Sequence, residues 1–359
     1  MKILCIIDSL GSGGAQRQLV NLAIGFKEKG HNVSFLVYHK NDFYEQTLKE
    51  NNISIHEIIE CNYFERLMKM RRFIRKCSFD AVLSFLEAAN FICEIAGLPK
   101  RKWELVVGER SANPNIMKSA KLRIYRWCHL LADHVVANTQ ENIKMIQKIN
   151  PFLSKKKCHV IYNMIDTKVW KPSFDYIPFN NNKFNLLIAA SISNPKNLHG
   201  LIEAVNILPE NYKNKLKINW YGSVSDFDYF HKAQQRIKDY KIDEIFSFFA
   251  PTHNIMRYMQ LSDAVGLFSF YEGLPNVICE GMSLEKPIIC SNVSDLALLI
   301  NNPNLLVNPY SASSIAAAIS FCMDLSSTKL IEEGKKNRFI AEKVFNKETI
   351  IEKYLSLFN

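Results

Sequence analysis

A chain of 359 residues is too long for one ordinary hydrophobic core and suits two domains. Its 48% hydrophobic and 22% charged residues are a globular composition, and no apolar run reaches the roughly 18 residues of a spanning helix, so disordered, fibrous and membrane-spanning classes are set aside. The net charge of +10 lies wholly in the first half, where residues 1–170 hold 26 Lys/Arg against 16 Asp/Glu; residues 171–359 hold 19 of each.

The chain opens on MKILCIID, whose apolar core is too short for a signal peptide and which runs straight into SLGSGGAQ, a strand followed by a glycine loop. A cytoplasmic location is expected. Short β-rich runs then alternate with amphipathic stretches. Strands are predicted at 2–7, 32–37, 81–86, 104–108 and 134–138, and again at 184–190, 216–222, 245–250, 264–270, 286–291 and 304–309. Helices are predicted at 15–29, 139–149, 197–207, 312–323 and 328–344, with a last one over 346–359. Alternation of this kind, occurring twice, predicts two doubly wound α/β domains on parallel sheets. Residues 163–183 carry two prolines, an Asn run and no period, which is linker composition. The expected division is a first domain over 1–168, a linker over 169–183, a second domain over 184–345 and a closing helix over 346–359.

In the first half, Gly11, Gly13 and Gly14 allow a tight turn and a close backbone approach at the start of a helix. An ordinary βα turn explains them, and so does a dinucleotide loop. The latter needs Gly at position 16, where Gln16 stands, and an acidic residue after the second strand, where Tyr38, His39 and Lys40 stand. An NAD(P)-linked oxidoreductase or epimerase stays open as an alternative. Basic clusters recur at Lys69–Lys76, Lys100–Lys102, Lys118–Arg126 and Lys155–Lys157. The segment 64–76 interleaves its charges with Phe64, Leu67, Met68, Phe73 and Ile74 at near-helical spacing. It reads equally as a helix lying on an anionic membrane surface or as a solvated helix with one core-facing stripe. No motif points to nucleic acid. Nine scattered cysteines contain no CxxC pair, so they signal neither a zinc site nor a disulfide framework. His31, His134 and His199 lack an acidic partner in local sequence and are expected to be structural.

In the second half, SISNPKNLHG (191–200) sets Lys196 in the loop after the domain's first strand. There an open α/β sheet binds ligands, and a lysine can neutralise a diphosphate without a metal. Asp226-x-Asp228 is readable as a metal pair or as a helix cap, and the cap suffices. In SFYEGLPNVICE (269–280), Gly273 and Pro275 prevent a helix from running through. Glu272 is therefore expected in a loop and Glu280 in the first turns of the helix that follows. Unpaired helix N–H groups lie between the two carboxylates. A phosphate flanked by hydroxyl groups, as in a nucleotide-sugar, suits that pattern.

Together, GGAQRQLVNLA (13–23), KGHNV (29–33), ADHVVANTQENIKMI (132–146), HVIYNMID (159–166), NPKN (194–197) and EGLPNVICEGMSLEKPIICSNV (272–293) resemble glycosyltransferase family 4, retaining enzymes of the GT-B fold. The last stretch is the family's E-x7-E signature. The resemblance implies two Rossmann-like domains facing across a cleft, with the nucleotide-sugar donor on the second and the acceptor on the first. It implies Glu272 and Lys196 as catalytic residues. Gly14, Ser191, Ala250, Gly273, Leu274, Pro275, Asn276 and Glu280 join those two in holding the donor, with Glu280 on the ribose. Glu109 and Arg110 stand where many members place a His, which suggests the acceptor side. Ser191 stands where the family often has an Arg, so one of two diphosphate cations is missing unless Arg110 or Arg17 replaces it. The expected enzyme moves a hexose or N-acetylhexosamine, most often UDP-linked, without a cofactor or metal. The expected acceptor is a glycan or polyprenyl-linked glycan at an anionic membrane face. A sugar-nucleotide-binding protein with weak turnover remains a further alternative.

Overall fold

The computed structural model describes residues Met1–Phe358, so Asn359, at the end of the predicted closing helix, lies outside the described residues. Two compact units divide the chain: Met1–Met164 with Lys347–Asn359, and Ile165–Asn346.

The first unit is built on seven parallel strands: β1 (Lys2–Ile6), β2 (Asn32–Val37), β3 (Ser54–Glu57), β4 (Ala81–Phe85), β5 (Glu104–Glu109), β6 (His134–Ala137) and β7 (Cys158–Val160). Their order is β3-β2-β1-β4-β5-β6-β7. The central strands are continuous apolar runs because helices cover both faces of the sheet. Ile3 of β1, for example, pairs with both Val33 and Ala81, and all three are fully or almost fully buried. One face packs on helix Gly14–Glu28 and the closing helix Lys347–Leu355 through Leu22, Phe26, Ile351 and Tyr354. The opposite face packs on helices Tyr63–Lys76, Glu87–Ala96 and Gln140–Ile149 through Met70, Ile74, Ile92 and Ile146.

The second unit carries six parallel strands: β8 (Phe184–Ala189), β9 (Leu216–Tyr221), β10 (Phe246–Phe249), β11 (Ala264–Leu267), β12 (Ile288–Ser291) and β13 (Leu306–Val307). Their order is β10-β9-β8-β11-β12-β13. In both sheets the winding reverses beside the first strand, between β1 and β4 and between β8 and β11. At such switch points the loops after neighbouring strands part and leave a crevice.

Several predicted boundaries change. β3 and β7 are short edge strands of half-buried, largely polar residues, with no apolar run to announce them. The strand expected over 264–270 stops at Leu267, because the chain turns away to deliver the 268–275 loop. The stretch expected as a linker over 169–183 is strapped to the second unit. Arg338 donates to the carbonyls of Thr167 and Trp170, and Asp263 accepts from the Tyr176 hydroxyl and the Phe179 amide at 3.0 and 2.9 Å. The first compact unit accordingly ends at Met164 rather than at 168.

Candidate active site

The switch point of the second sheet gathers most of the residues singled out in the second half. After β8 the chain makes a single 3-10 turn, Asn194–Lys196, and enters helix Leu198–Asn206. Asn197 takes the left-handed conformation (φ 58°) that this tight entry needs, and its side chain caps the helix by accepting from the Gly200 amide at 3.1 Å. It also donates to the Pro309 carbonyl at 2.7 Å, which fixes the loop. Lys196 is thereby held on a short, doubly tethered turn.

After β11 the loop is tied to that same turn, because the Phe270 amide donates to the Pro195 carbonyl at 2.9 Å. The tie sets Glu272 against Lys196, with Nζ and Oε1 2.5 Å apart and the side chains 13% and 25% exposed respectively. The pair links residues 76 positions apart. Pro275 then caps helix Asn276–Ser283 without a side-chain hydrogen bond, and Gly273, Leu274 and Pro275 are buried. Glu280 sits one turn into that helix, about 6 Å along its axis, and is 3% exposed. Ser191 lies in the first of the two loops with its hydroxyl 3.3 Å from that of Ser193. Ala250 lies farther out, just past edge strand β10.

Two aromatic groups beside these residues left no trace in the sequence pattern. Tyr221 stacks on both Phe249 and Tyr258, with centroids 4.7 and 4.9 Å away, next to Ala250. Phe270, two residues before Glu272, stacks on Tyr310 at 4.9 Å, and Tyr310 is 77% exposed. At the opposite ends of β11 and β12, before the strands begin, Lys286 is buried with its ammonium over the Tyr176 ring at 3.3 Å and donating to the Ser262 carbonyl at 2.9 Å. Burial pushes its pKa down to about 7 against the pull of Asp263 and Glu285. Asp226 caps its helix through the Tyr229 amide at 3.0 Å. Among the described residues no group of three or more His, Cys, Asp or Glu side chains is arranged to hold a metal ion.

The remaining predicted residues belong to the first unit. Gly14 opens helix Gly14–Glu28 directly after the β1 loop. A side chain at Gly13 would collide with Gln16, whose amide donates to Asp8 at 2.8 Å. The residue that breaks the dinucleotide pattern thus fills and fixes this loop. Glu109 ends β5 and is 2% exposed. Its carboxylate lies 2.5 Å from Arg126 Nη2 and 3.3 Å from His129 Nε2. Arg126 reaches Glu87 at 3.1 Å, and His129 Nδ1 reaches Glu94 at 2.6 Å. Both ring nitrogens of His129 therefore face carboxylate oxygens, an arrangement that favours the doubly protonated form. Burial opposes that charge, but Glu94 and Glu109 overcome it and lift the pKa to about 9. Arg110 donates to Asn163 at 3.2 Å and to the Tyr354 hydroxyl at 2.5 Å, and lies 3.8 Å over the Phe85 ring. Its guanidinium ties the end of β5 to the closing helix instead of standing open as a spare cation.

The glycosyl transferases group 1 family matches residues 172–338, and glycosyltransferase family 4 matches residues 12–169. The chain is a glycosyltransferase of this group 1 and family 4 kind. It is 25% identical over 312 residues to the Campylobacter jejuni GalNAc-alpha-(1->4)-GalNAc-alpha-(1->3)-diNAcBac-PP-undecaprenol alpha-1,4-N-acetyl-D-galactosaminyltransferase, covering 81% of this chain and 79% of the relative. It is 22% identical over 305 residues to the amylovoran biosynthesis glycosyltransferase AmsD of Erwinia amylovora, covering 80% of each. The crystal structure of Anabaena Alr3699/HepE in complex with UDP-glucose superposes with a TM-score of 0.86 at 20% identity over 99% of both chains. The fold is GT-B and the enzyme a hexosyltransferase.

Proposed function

We propose that the protein is a retaining, metal-independent glycosyltransferase that moves a hexose or N-acetylhexosamine from a UDP-sugar to a lipid-linked glycan at an anionic membrane face. The observation that carries the reading is the Lys196–Glu272 pair at the second sheet's switch point, with the buried Glu280 one turn into the adjoining helix. In this reading the donor diphosphate takes Lys196 from Glu272, and the freed carboxylate accepts hydrogen bonds from the sugar hydroxyls instead. Glu272 and the main chain of Gly273 through Asn276 then hold the sugar hydroxyls and phosphates, and Glu280 accepts from the ribose. Ser191 and the main chain at Ala250 complete the nucleotide's surroundings.

The bond from the anomeric carbon to the diphosphate oxygen breaks, and the acceptor oxygen attacks on the same face. The acceptor's proton passes to the leaving phosphate oxygen while Lys196 offsets the developing charge. Glu109 and Arg110 act indirectly, Glu109 by holding the end of β5 through Arg126 and His129. The Campylobacter jejuni relative is named for transfer to an undecaprenol-diphosphate-linked glycan, and the Anabaena structures contain UDP and UDP-glucose; these names support the donor and acceptor classes. The excess positive charge of residues 1–170 supports the membrane face.

A thermal-shift panel of nucleotide-sugars tests the proposal. A cognate UDP-sugar at about 100 times its Kd should stabilise by roughly 3 kcal/mol, and its GDP, ADP and CMP counterparts should not. Equal shifts with every donor, or none with any UDP-sugar, would overturn the donor class.

A further inference from the structure

Helix Ala120–Cys128 turns one side inward and another outward. Tyr125 and Arg126 are buried, while Ile124 and Trp127 are 57% and 39% exposed. Leu130 follows at 41% exposed. The turn after helix Gln140–Ile149 brings Phe152, 74% exposed, to 5.8 Å from the Trp127 ring. Lys157 donates to the carbonyls of Leu130 and Ala132 at 3.2 and 2.6 Å, which anchors the next loop at the same place. Four large apolar side chains from two segments thus stand together on the surface of one unit.

The charges around them have one sign. Residues 110–132 contain no Asp or Glu, and neither do residues 142–165. Lys118, Lys121 and Arg123 are exposed on the first segment, Lys155 and Lys156 on the second. The carboxylate next in sequence, Asp133, is taken by Arg101 at 2.5 Å. Exposed Trp and Phe on two segments whose exposed charges are all basic is the composition of a surface that enters the headgroup layer of an anionic bilayer.

The helix Tyr63–Lys76, flagged from its sequence for this role, is built differently. Met70 and Ile74 are buried, and Leu67 and Phe73 pack against the core. Arg75 spends its guanidinium on the carbonyls of Ala96, Leu98 and Lys100, and Arg71 on that of Leu98. Lys69 is paired with Glu60. Much of its charge is consumed within the protein.

From this contrast we infer that the first unit docks on anionic lipid through the face made by Ile124, Trp127, Leu130 and Phe152 with their surrounding lysines. This rests on the lipid-linked-acceptor reading and adds to it the surface that carries the enzyme to its substrate.

The test uses the full chain with phosphatidylcholine vesicles and with vesicles containing about one third phosphatidylglycerol. Binding is expected to the anionic vesicles only, with a blue shift of Trp127 emission that Trp127→Phe abolishes. The triple variant Lys121→Ala/Lys155→Ala/Lys156→Ala should partition about a hundredfold more weakly, at roughly fivefold per charge. Ile124→Ser/Phe152→Ser should also lose binding. All of these positions are exposed, and melting curves verify folding. Unchanged binding in both variants, or equal affinity for neutral vesicles, would overturn the assignment. So would loss of binding in Arg71→Ala/Arg72→Ala with retention in the triple variant, which would move the contact to helix Tyr63–Lys76. The thermal shift with nucleotide-sugar reads the donor proposal separately in every variant.

Discussion

Replacing Arg126 by Met should cost the first unit several kcal/mol. The guanidinium is fully buried, 2.5 Å from Glu109 and 3.1 Å from Glu87, so its removal strands a buried carboxylate. Breaking a buried pair from one side costs about 3–5 kcal/mol, and at about 2–4 °C per kcal/mol the midpoint falls by roughly 6–20 °C. The cluster also makes stability depend on pH. His129 titrates near 6.5 when unfolded and at about 9 when folded. Because the folded pKa is the higher one, the contribution is complete below pH 6.5 and is lost as pH rises through 9. A shift of that size corresponds to about 3 kcal/mol. The two units need not unfold together, so the readout is native-state hydrogen exchange in peptides spanning β4 and β5. Their protection should fall between pH 6.5 and 9 after correction for the intrinsic exchange rate, and His129→Gln should flatten the dependence. A loss below about 1 kcal/mol in Arg126→Met, or a flat wild-type profile, would refute the reasoning.

The second unit should show the opposite slope. Lys286 titrates lower folded, at about 7, than unfolded, so its charge opposes folding at and below pH 7 and the penalty fades as pH rises toward 10.5. Lys286→Met should stabilise this unit by roughly 1–4 kcal/mol in neutral solution, with the gain shrinking in alkali; calorimetry checks both. Gly222→Ala should destabilise it by roughly 1–3 kcal/mol or more in urea titration, because the new Cβ would strike the Ala190 carbonyl, which is backbone and has nowhere to go. Tyr354→Phe removes one partner of Arg110 and should cost about 1–3 kcal/mol, read as faster hydrogen exchange in the closing helix.

What was legible in the sequence was what local chemistry determines. The central strands show as apolar runs because helices bury both faces of a parallel sheet. The loop-then-helix placement of Glu272 and Glu280 follows from Gly273 and Pro275 within a few residues of chain. Edge strands β3 and β7 lacked that signal, since half-buried strands need no apolar run. The network of Glu87, Glu94, Glu109, Arg126 and His129 was invisible because its contacts join residues 17 to 39 positions apart on different elements. His129 therefore escaped a search for local acidic partners. Nothing in the local sequence marks Lys286, and only the packing of Tyr176 and Asp263 reveals it as buried. The tryptophan and phenylalanine of the lipid-facing surface come from segments that only the fold brings side by side.

Steady-state transfer from the cognate UDP-sugar by Lys196→Ala, with UDP affinity measured in parallel, tests the central claim most directly. The account predicts a fall in kcat of about 100- to 1,000-fold, the usual effect of deleting a preorganised group that stabilises developing charge, while UDP still binds. A variant that turns over within tenfold of the wild type would contradict it.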